Sequence, residues 1–350
     1  MTHSILVDGR EFVVGRRTGI GRFLEGLLLS LTARHPDWRV TVALSKQCAL
    51  PDSLEGKADS LALSRFPELC WPALANGYDL FLSPYPKLPI RDLPCPAIHT
   101  VHDVFYLTHP AYCENRLRRA VSLWWLKRSL SKASLTWFDS EVSQRECASI
   151  AGELSHDNVI RYPAVESSFE PDASVAIPPS PFFLYVGNGL PHKNIMILMR
   201  AISGTELHLT CVGVSPEVGR QLLADSDVGP EQVDFLQGIN DDQLLKLYRQ
   251  ATALLLPSTA EGYGYPPLEA MACGTPAIVS DIAVLRETSG GVATYCSSSD
   301  AEAWRSEMLA IQDIKLRADR VERGRVWVRQ HQGDSGWAEH LADIEQLVMK

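Results

Sequence analysis

Two carboxylates and a lysine stand among glycines in the C-terminal half of this chain. Glu261 precedes Gly262, Tyr263 and Gly264, and Glu269 lies seven intervening residues further on, in an apolar run. Glycine has no Cβ, so a ligand can come close to the main chain there. A carboxylate offers several acceptor sites, which suits the paired hydroxyls of a sugar or a ribose. Lys193 follows Gly187-Asn188-Gly189-Leu190-Pro191-His192 and enters another apolar stretch. Glycine turns that feed a helix, with a cation beside them, make a site for an anion. In the N-terminal half, Thr18-Gly19-Ile20-Gly21-Arg22 opens a leucine-rich segment, and His102-Asp103 closes an apolar one. Each group also has a plain structural reading: turn glycines, a first-turn glutamate favoured by the helix dipole, a solvated lysine, a loop-satisfied histidine, Asp103 as a cap.

The surrounding pattern predicts elements that would hold these groups. Residues 251–256, nearly free of polar side chains, read as a buried strand. A turn-prone loop covers 258–265, a short helix 266–273 is opened by two prolines and stopped by Gly274, and a second strand covers 276–280. The Lys193 loop follows a strand at 182–186 and precedes a helix at 195–201. Strands at 206–212 and 233–237 come next, with Gly238 after the second and Asp241 as the cap of a helix bearing Leu244, Leu245 and Tyr248. In the other half, Ser4–Asp8 is a strand, a loop to Thr18 carries Arg10, Arg16 and Arg17, and a helix runs to about Arg34. Further strands read at 40–44, 78–82, Ala97–Val101, 134–137 and 159–162, with Asp139 or Ser143 capping the helix after the fourth. Strands alternating with helices argue an α/β chain with doubly wound sheets, which place ligands past the C-terminal strand ends.

A nicotinamide site does not fit this pattern. Leu24 occupies the third glycine position of the dinucleotide fingerprint, and the strand at 40–44 runs into Ser45-Lys46 rather than an acid. The Lys193 loop is not a Walker loop, and Asp225-Ser226-Asp227, flanked by Gly229-Pro230, reads as a turn. The length of 350 residues favours two domains. A net charge of −9 argues against a general nucleic-acid binder, so an anionic ligand needs a local positive site. Eight cysteines without a C-x-x-C pair fit a reducing, cytoplasmic setting rather than a disulfide framework or zinc site. The N-terminal residues show no long apolar run, and no segment reaches membrane-spanning length. Prolines between Pro163 and Pro181 mark the change of composition at the domain boundary. The reading is 1–172 and 173–334 as two domains, with 335–350 as a terminal helix. Arg116–Lys132 carries six cations and no acid, together with Leu117, Val121, Trp124 and Trp125. Such a helix fits an anionic membrane surface, or packs its tryptophans into its own domain.

The stretch EGYGYPPLEAMACGTPAIVSD at 261–281 resembles the retaining glycosyltransferase family 4. Glu287 and Gly290-Gly291 continue the resemblance, with Arg286 where proline is frequent. The resemblance implies the GT-B fold, two Rossmann-like domains facing across a cleft, the terminal helix crossing back onto the first. It implies a sugar moved from a nucleotide diphosphate sugar to an acceptor hydroxyl, without a metal or other cofactor. Gly19 and Gly21 then lie near the donor phosphates, His102 near the transferred sugar, and Gly187 in the diphosphate loop. Lys193 grips the diphosphate, Glu261 holds sugar hydroxyls, Gly262, Tyr263 and Gly264 line sugar and phosphate, Glu269 binds ribose, and Gly238 seats the base on backbone.

The family often carries a second cation, an Arg where Asn188 stands here or where His192 stands. If His192 supplies that charge, donor binding weakens as pH rises through about 6.5. Thr-Gly-Ile-Gly-Arg, His-Asp and Lys-Asn look most like bacterial polysaccharide mannosyl- or rhamnosyltransferases, which favours a GDP-sugar. Many members act on glycan or lipid-linked acceptors. The alternatives are a sugar-nucleotide epimerase or phosphorylase of the same fold, or a non-catalytic nucleotide-sugar-binding protein.

Overall fold

The computed structural model describes all residues except 1, 16–17, 64–66, 109–114, 155–156, 177, 179 and 350. Two compact units form, Met1–Ala164 with Gly333–Lys350, and Val165–Gln332.

The first unit is built on strands β1 (Ser4–Asp8), β2 (Arg39–Leu44), β3 (Asp59–Ala62), β4 (Leu80–Ser83), β5 (Ala97–Val101), β6 (Leu135–Phe138) and β7 (Asn158–Ile160). They lie in the order β3-β2-β1-β4-β5-β6-β7, each neighbour pair parallel. Helices cover both faces of such a sheet, so its central strands are continuous apolar runs rather than alternating ones. Ile5, Leu6, Leu80, Ile98 and Trp137 are accordingly buried to the last per cent or so. The edge strand β3 is largely exposed and carries little apolar signal, which is why the sequence pattern does not reveal it.

The second unit repeats the plan with β8 (Phe183–Val186), β9 (Leu209–Val212), β10 (Val233–Leu236), β11 (Ala253–Leu256), β12 (Ala277–Ser280) and β13 (Thr294–Cys296). Their order is β10-β9-β8-β11-β12-β13, again parallel. Tyr185, Leu198, Leu209, Leu255, Ile278 and Trp304 belong to its core. In both sheets the strand order reverses once, between β1 and β4 and between β8 and β11. Ligands bind at such switch points, outside the C-terminal strand ends.

The expected break at 172/173 moves to 164/165. Residues 165–172 are tied to the second unit: Val165 N donates to His331 O at 2.8 Å, Phe169 packs on Tyr248 with ring centroids 5.7 Å apart, and Arg249 Nε donates to Glu170 O at 2.8 Å. The proline-rich composition therefore marks the second unit's lead-in rather than its edge.

The last helix, Gly333–Val348, begins two residues before the expected 335 and packs within the first unit. Trp337 lies edge-on to Phe23 of the helix Gly19–Arg34 at 5.5 Å, and Asp343 takes Arg161 Nε at 2.7 Å and Trp137 Nε1 at 2.8 Å. Among the described residues, no helix is long and apolar enough to cross a membrane.

Candidate functional site

The second unit's switch point is where Lys193 and Glu261 meet. The loop after β8 carries Lys193 and the loop after β11 carries Glu261. Lys193 Nζ donates to Glu261 Oε1 at 2.6 Å, and Ser258 Oγ donates to the same oxygen at 2.6 Å. Both members of the ion pair are mostly withdrawn from solvent, at 16% and 9% side-chain exposure. An ammonium has three donors, so the pairing leaves two N–H groups for a second anion. Two contacts that sequence reasoning missed hold the loops together. Asn194 has φ +53, the one positive value at a non-glycine among the described residues, and its Nδ2 donates to Pro257 O at 3.1 Å and Ser298 O at 2.8 Å. Thr259 N donates to His192 O at 2.8 Å. The tolerance of Asn for left-handed backbone was the available hint.

Gly187 is required by a close approach: a Cβ there would lie 2.7 Å from Tyr185 Oη, which itself donates to Asn188 O at 2.7 Å. The Asn188 side chain accepts from Leu190 N at 3.2 Å and so closes a local turn. His192 is buried, and its carbonyl joins the two loops. The structure thus places the Asn188 side chain and the His192 carbonyl in the loop's scaffolding.

Gly262 and Tyr263 lead to Gly264, whose φ of +88 caps the helix Tyr265–Ala272. This helix starts one residue earlier than the prolines suggest. Pro266 and Pro267 lack N–H groups, so two of the four amides at its entry are absent, beside the dipole. Tyr263 is buried and packs edge-on to Tyr265 at 5.2 Å. Glu269 is 2% exposed, and one of its oxygens accepts from Tyr248 Oη at 2.5 Å. The structure therefore brings Glu261 to Lys193 and turns the Glu269 carboxylate toward the helix Asp241–Gln250. Gly238, at φ +65, follows β10. The cap of Asp241–Gln250 is Asn240 rather than Asp241: Asn240 Oδ1 accepts from Gln243 N and Gln243 Oε1 from Asn240 N, both at 2.9 Å. Asn is as strong a cap as Asp and stands one position earlier.

In the first unit, Thr18 caps Gly19–Arg34 by accepting from Gly21 N at 3.0 Å. A Cβ on Gly21 would press on that hydroxyl at 3.3 Å. Thr18 donates in turn to Glu11, which also accepts from Tyr85 Oη at 2.5 Å. Glu11 thereby ties the loop after β1 to the loop after β4. Burial first, then Glu11, pushes the Tyr85 phenol far above its ordinary range. Arg10 pairs with Asp8 at 2.6 Å; Arg16 and Arg17 lie outside the described residues.

His102, just past β5, is held at both ring nitrogens: Nδ1 is 2.5 Å from Asp139 Oδ2 and Nε2 is 3.0 Å from Pro84 O. Burial pulls its pKa down, but the Asp139 charge and hydrogen bond, the Asp103 charge and the Pro84 carbonyl together carry it above the ordinary value. This corrects the expected cap at Asp139 or Ser143. Ser140 caps Glu141–Ala151, accepting from Ser143 N at 3.0 Å, while Asp139 turns back to His102. A hydroxyl reaches the helix amide from one residue nearer, which frees the carboxylate.

The helix Arg116–Lys132 divides its tryptophans. Trp125 donates to Leu88 O at 2.7 Å under the Lys87 ammonium, whereas Leu117, Val121 and Trp124 are exposed by 72%, 49% and 52%. Those three share one face at helical spacing. Arg128 and Lys132 lean on Asp92, and Arg116, Arg118 and Lys127 are exposed.

The model for glycosyl transferases group 1 matches residues 168–327, which include the whole Lys193–Glu261 arrangement. The chain carries a glycosyltransferase group 1 domain. A segment of 159 residues is 35% identical to the O-antigen chain mannosyltransferase RfbU of Salmonella typhimurium, covering 44% of each chain. A longer segment of 254 residues is 27% identical to O-antigen chain mannosyltransferase B of Escherichia coli, covering 67% of this chain and 66% of that one. The matches thus span less than two thirds of either relative. Sucrose-phosphate synthase from Thermosynechococcus elongatus superposes with a TM-score of 0.82 at 19% identity, over 99% of each chain. WaaG, a glycosyltransferase involved in lipopolysaccharide biosynthesis, gives 0.75 at 16%, over 97% of this chain and 99% of its own. The fold is GT-B, with the group 1 domain as its second Rossmann-like unit.

Proposed function

We propose that this chain is a retaining hexosyltransferase that moves a sugar from a nucleotide diphosphate sugar to a hydroxyl of a glycan or lipid-linked acceptor in cell-surface polysaccharide synthesis. The observation that carries the reading is the Lys193–Glu261 pair at the switch point of a group 1 domain. In the reaction, the bond from the sugar C1 to the phosphate oxygen breaks and a bond from C1 to the acceptor oxygen forms. The acceptor's proton passes to the departing phosphate, on the same face of the sugar. Negative charge grows on the diphosphate, and the two remaining Lys193 donors, with the amides of the Gly187 and Gly264 loops, are placed to stabilise it. Glu261 keeps an oxygen for the sugar hydroxyls, since Lys193 and Ser258 both donate to Oε1. Glu269, held by Tyr248, is the candidate for the ribose, and Gly238 for the base.

These groups belong to the chain itself, so transfer is expected to withstand a chelator. The mannosyltransferase relatives favour mannose, and with it a GDP-linked donor. Thermal shift against GDP, UDP, ADP, TDP and their common sugars tests this; a donor at 100 times its Kd stabilises the native state by about 2.7 kcal/mol. Lys193→Ala and Glu261→Ala are each expected to lower transfer by roughly 100-fold or more with unchanged circular dichroism. Wild-type transfer by either variant would remove the site from consideration.

The acceptor side points to a membrane. The exposed face of Leu117, Val121 and Trp124 among Arg116, Arg118 and Lys127 suits the cytoplasmic surface of an anionic bilayer, the apolar side chains entering the headgroup layer. The protein is expected to sediment with phosphatidylglycerol vesicles and not with phosphatidylcholine ones, and to be released by salt. Trp124→Ala should weaken that binding; equal recovery with both lipids would count against it.

A further inference from the structure

We infer that Asp139 is the positioning residue that holds His102 as a doubly protonated ring at the C-terminal edge of the first sheet. The inference rests on reading His102 as part of the transfer site. Topology brings the group together. β4, β5 and β6 are neighbours, and each delivers one member just past its end: Pro84, His102 and Asp139. His102 Nε2 lies 3.0 Å from a carbonyl oxygen, which can only accept, so Nε2 carries a proton. Nδ1 lies 2.5 Å from a carboxylate oxygen, which takes a second proton's hydrogen bond. Two acceptors on two ring nitrogens call for both ring protons.

The packing around the ring fixes its position. Phe23, from Gly19–Arg34, stands edge-on to it at 5.1 Å, and Ser143 Oγ of Glu141–Ala151 donates to the His102 carbonyl at 2.9 Å. The charged groups that bear on the ring are Asp139 and, in its own loop, Asp103, both acidic. Asp139 Oδ1 is buried and has no hydrogen-bond partner among the described residues, so the ring is the charge that balances this carboxylate. A ring fixed in this way does not take a proton from an acceptor hydroxyl. Its two N–H donors are already committed to Asp139 and Pro84, so it serves as a fixed cation beside an oxygen-rich or anionic ligand, and the acceptor's proton is left to the departing phosphate.

Nuclear magnetic resonance of the ring nitrogens in the full chain, with His102→Gln to assign the signals, tests the state directly. The wild-type ring is expected to stay doubly protonated through pH 6.5, the ordinary midpoint. Asp139→Asn keeps an acceptor of the same shape but removes the charge, and should move the midpoint down. A wild-type midpoint at or below 6.5 overturns the inference, as does one that Asp139→Asn leaves in place. The wild-type titration keeps the inference falsifiable if the variant does not fold. In transfer assays Asp139→Asn should lose more activity at pH 8 than at pH 6, whereas His102→Gln should lose roughly 100-fold at both. Titration as expected with unchanged transfer would support the Asp139–His102 pairing and overturn the placement of His102 in the site.

Discussion

Asn194 shows how one residue can decide where a lysine points. Its left-handed backbone ends the turn at Lys193, and its amide ties that turn to the ends of two other strands through Pro257 and Ser298. Asn194→Ala would lose two hydrogen bonds, at about 1 kcal/mol each, and place a residue without a local polar group in the left-handed region, at about 1 kcal/mol more. A urea titration should show a loss of about 2–3 kcal/mol. Asn194→Gly accepts the backbone and should lose less. Equal losses would put the whole cost in the hydrogen bonds. The same logic makes Asn188 a turn residue: its oxygen is already committed to Leu190.

At the scale of elements, the helix that starts at the Gly19–Gly21 turn is held in place by the helix that ends the chain. Gly26 permits this: a Cβ there would lie 2.9 Å from Trp337 Cζ2 and 3.3 Å from Cε2, atoms of a packed indole that has little room to move. Helix propensity alone makes valine slightly better than glycine at such a position. The packing predicts the opposite sign. Gly26→Val should destabilise by about 1–3 kcal/mol, as overpacked cores do, and should open Gly333–Val348 to limited proteolysis. A stabilised variant with a protected terminal helix would show that the two helices separate freely. Phe23 of the same helix touches Trp337, His340 and His102, so this packing reaches a candidate site residue through a single side chain.

For the molecule as a whole, buried histidines set the response to acid. His99 and His340, both in the first unit, are pushed to about 3, His99 by burial and His340 by burial and then by Arg161. The unfolded chain takes up their protons near 6.5 and the native state does not. Stability is therefore complete above about 6.5 and falls as pH drops from there toward 3, by about 1.4 kcal/mol per unit for each ring. His102 acts in the other window. Its raised value means that its contribution is complete below 6.5 and is lost as pH rises through the folded value, so it offers no relief in acid. His340 has no hydrogen-bond partner for either nitrogen among the described residues and sits among Phe23, Trp137 and Trp337. His340→Phe should fit that aromatic cage and reduce the stability lost between pH 7 and pH 5 by about 2 kcal/mol. An unchanged loss in urea titrations at the two pH values would place the acid sensitivity elsewhere.

The sequence by itself determined the α/β class, the two-unit plan and most central strands. Buried parallel strands need unbroken apolar runs, and Leu254–Leu256 or Ile5–Val7 can be little else. It also determined the glycine positions around Lys193 and Glu261, because close approach and left-handed backbone leave few other residues possible. Tertiary structure alone decided the partners. Lys193 and Glu261 are 68 residues apart and meet because β8 and β11 are neighbours at a switch point. Asp139 reads locally as a cap, and only the pairing of β5 with β6 sets it against His102. Glu269 reads as a carboxylate of the apolar run, and only the packing of the helix bearing Tyr248 supplies the hydroxyl that holds one of its oxygens. A hydrogen bond depends on which strand ends lie side by side, and that order is a property of the whole sheet.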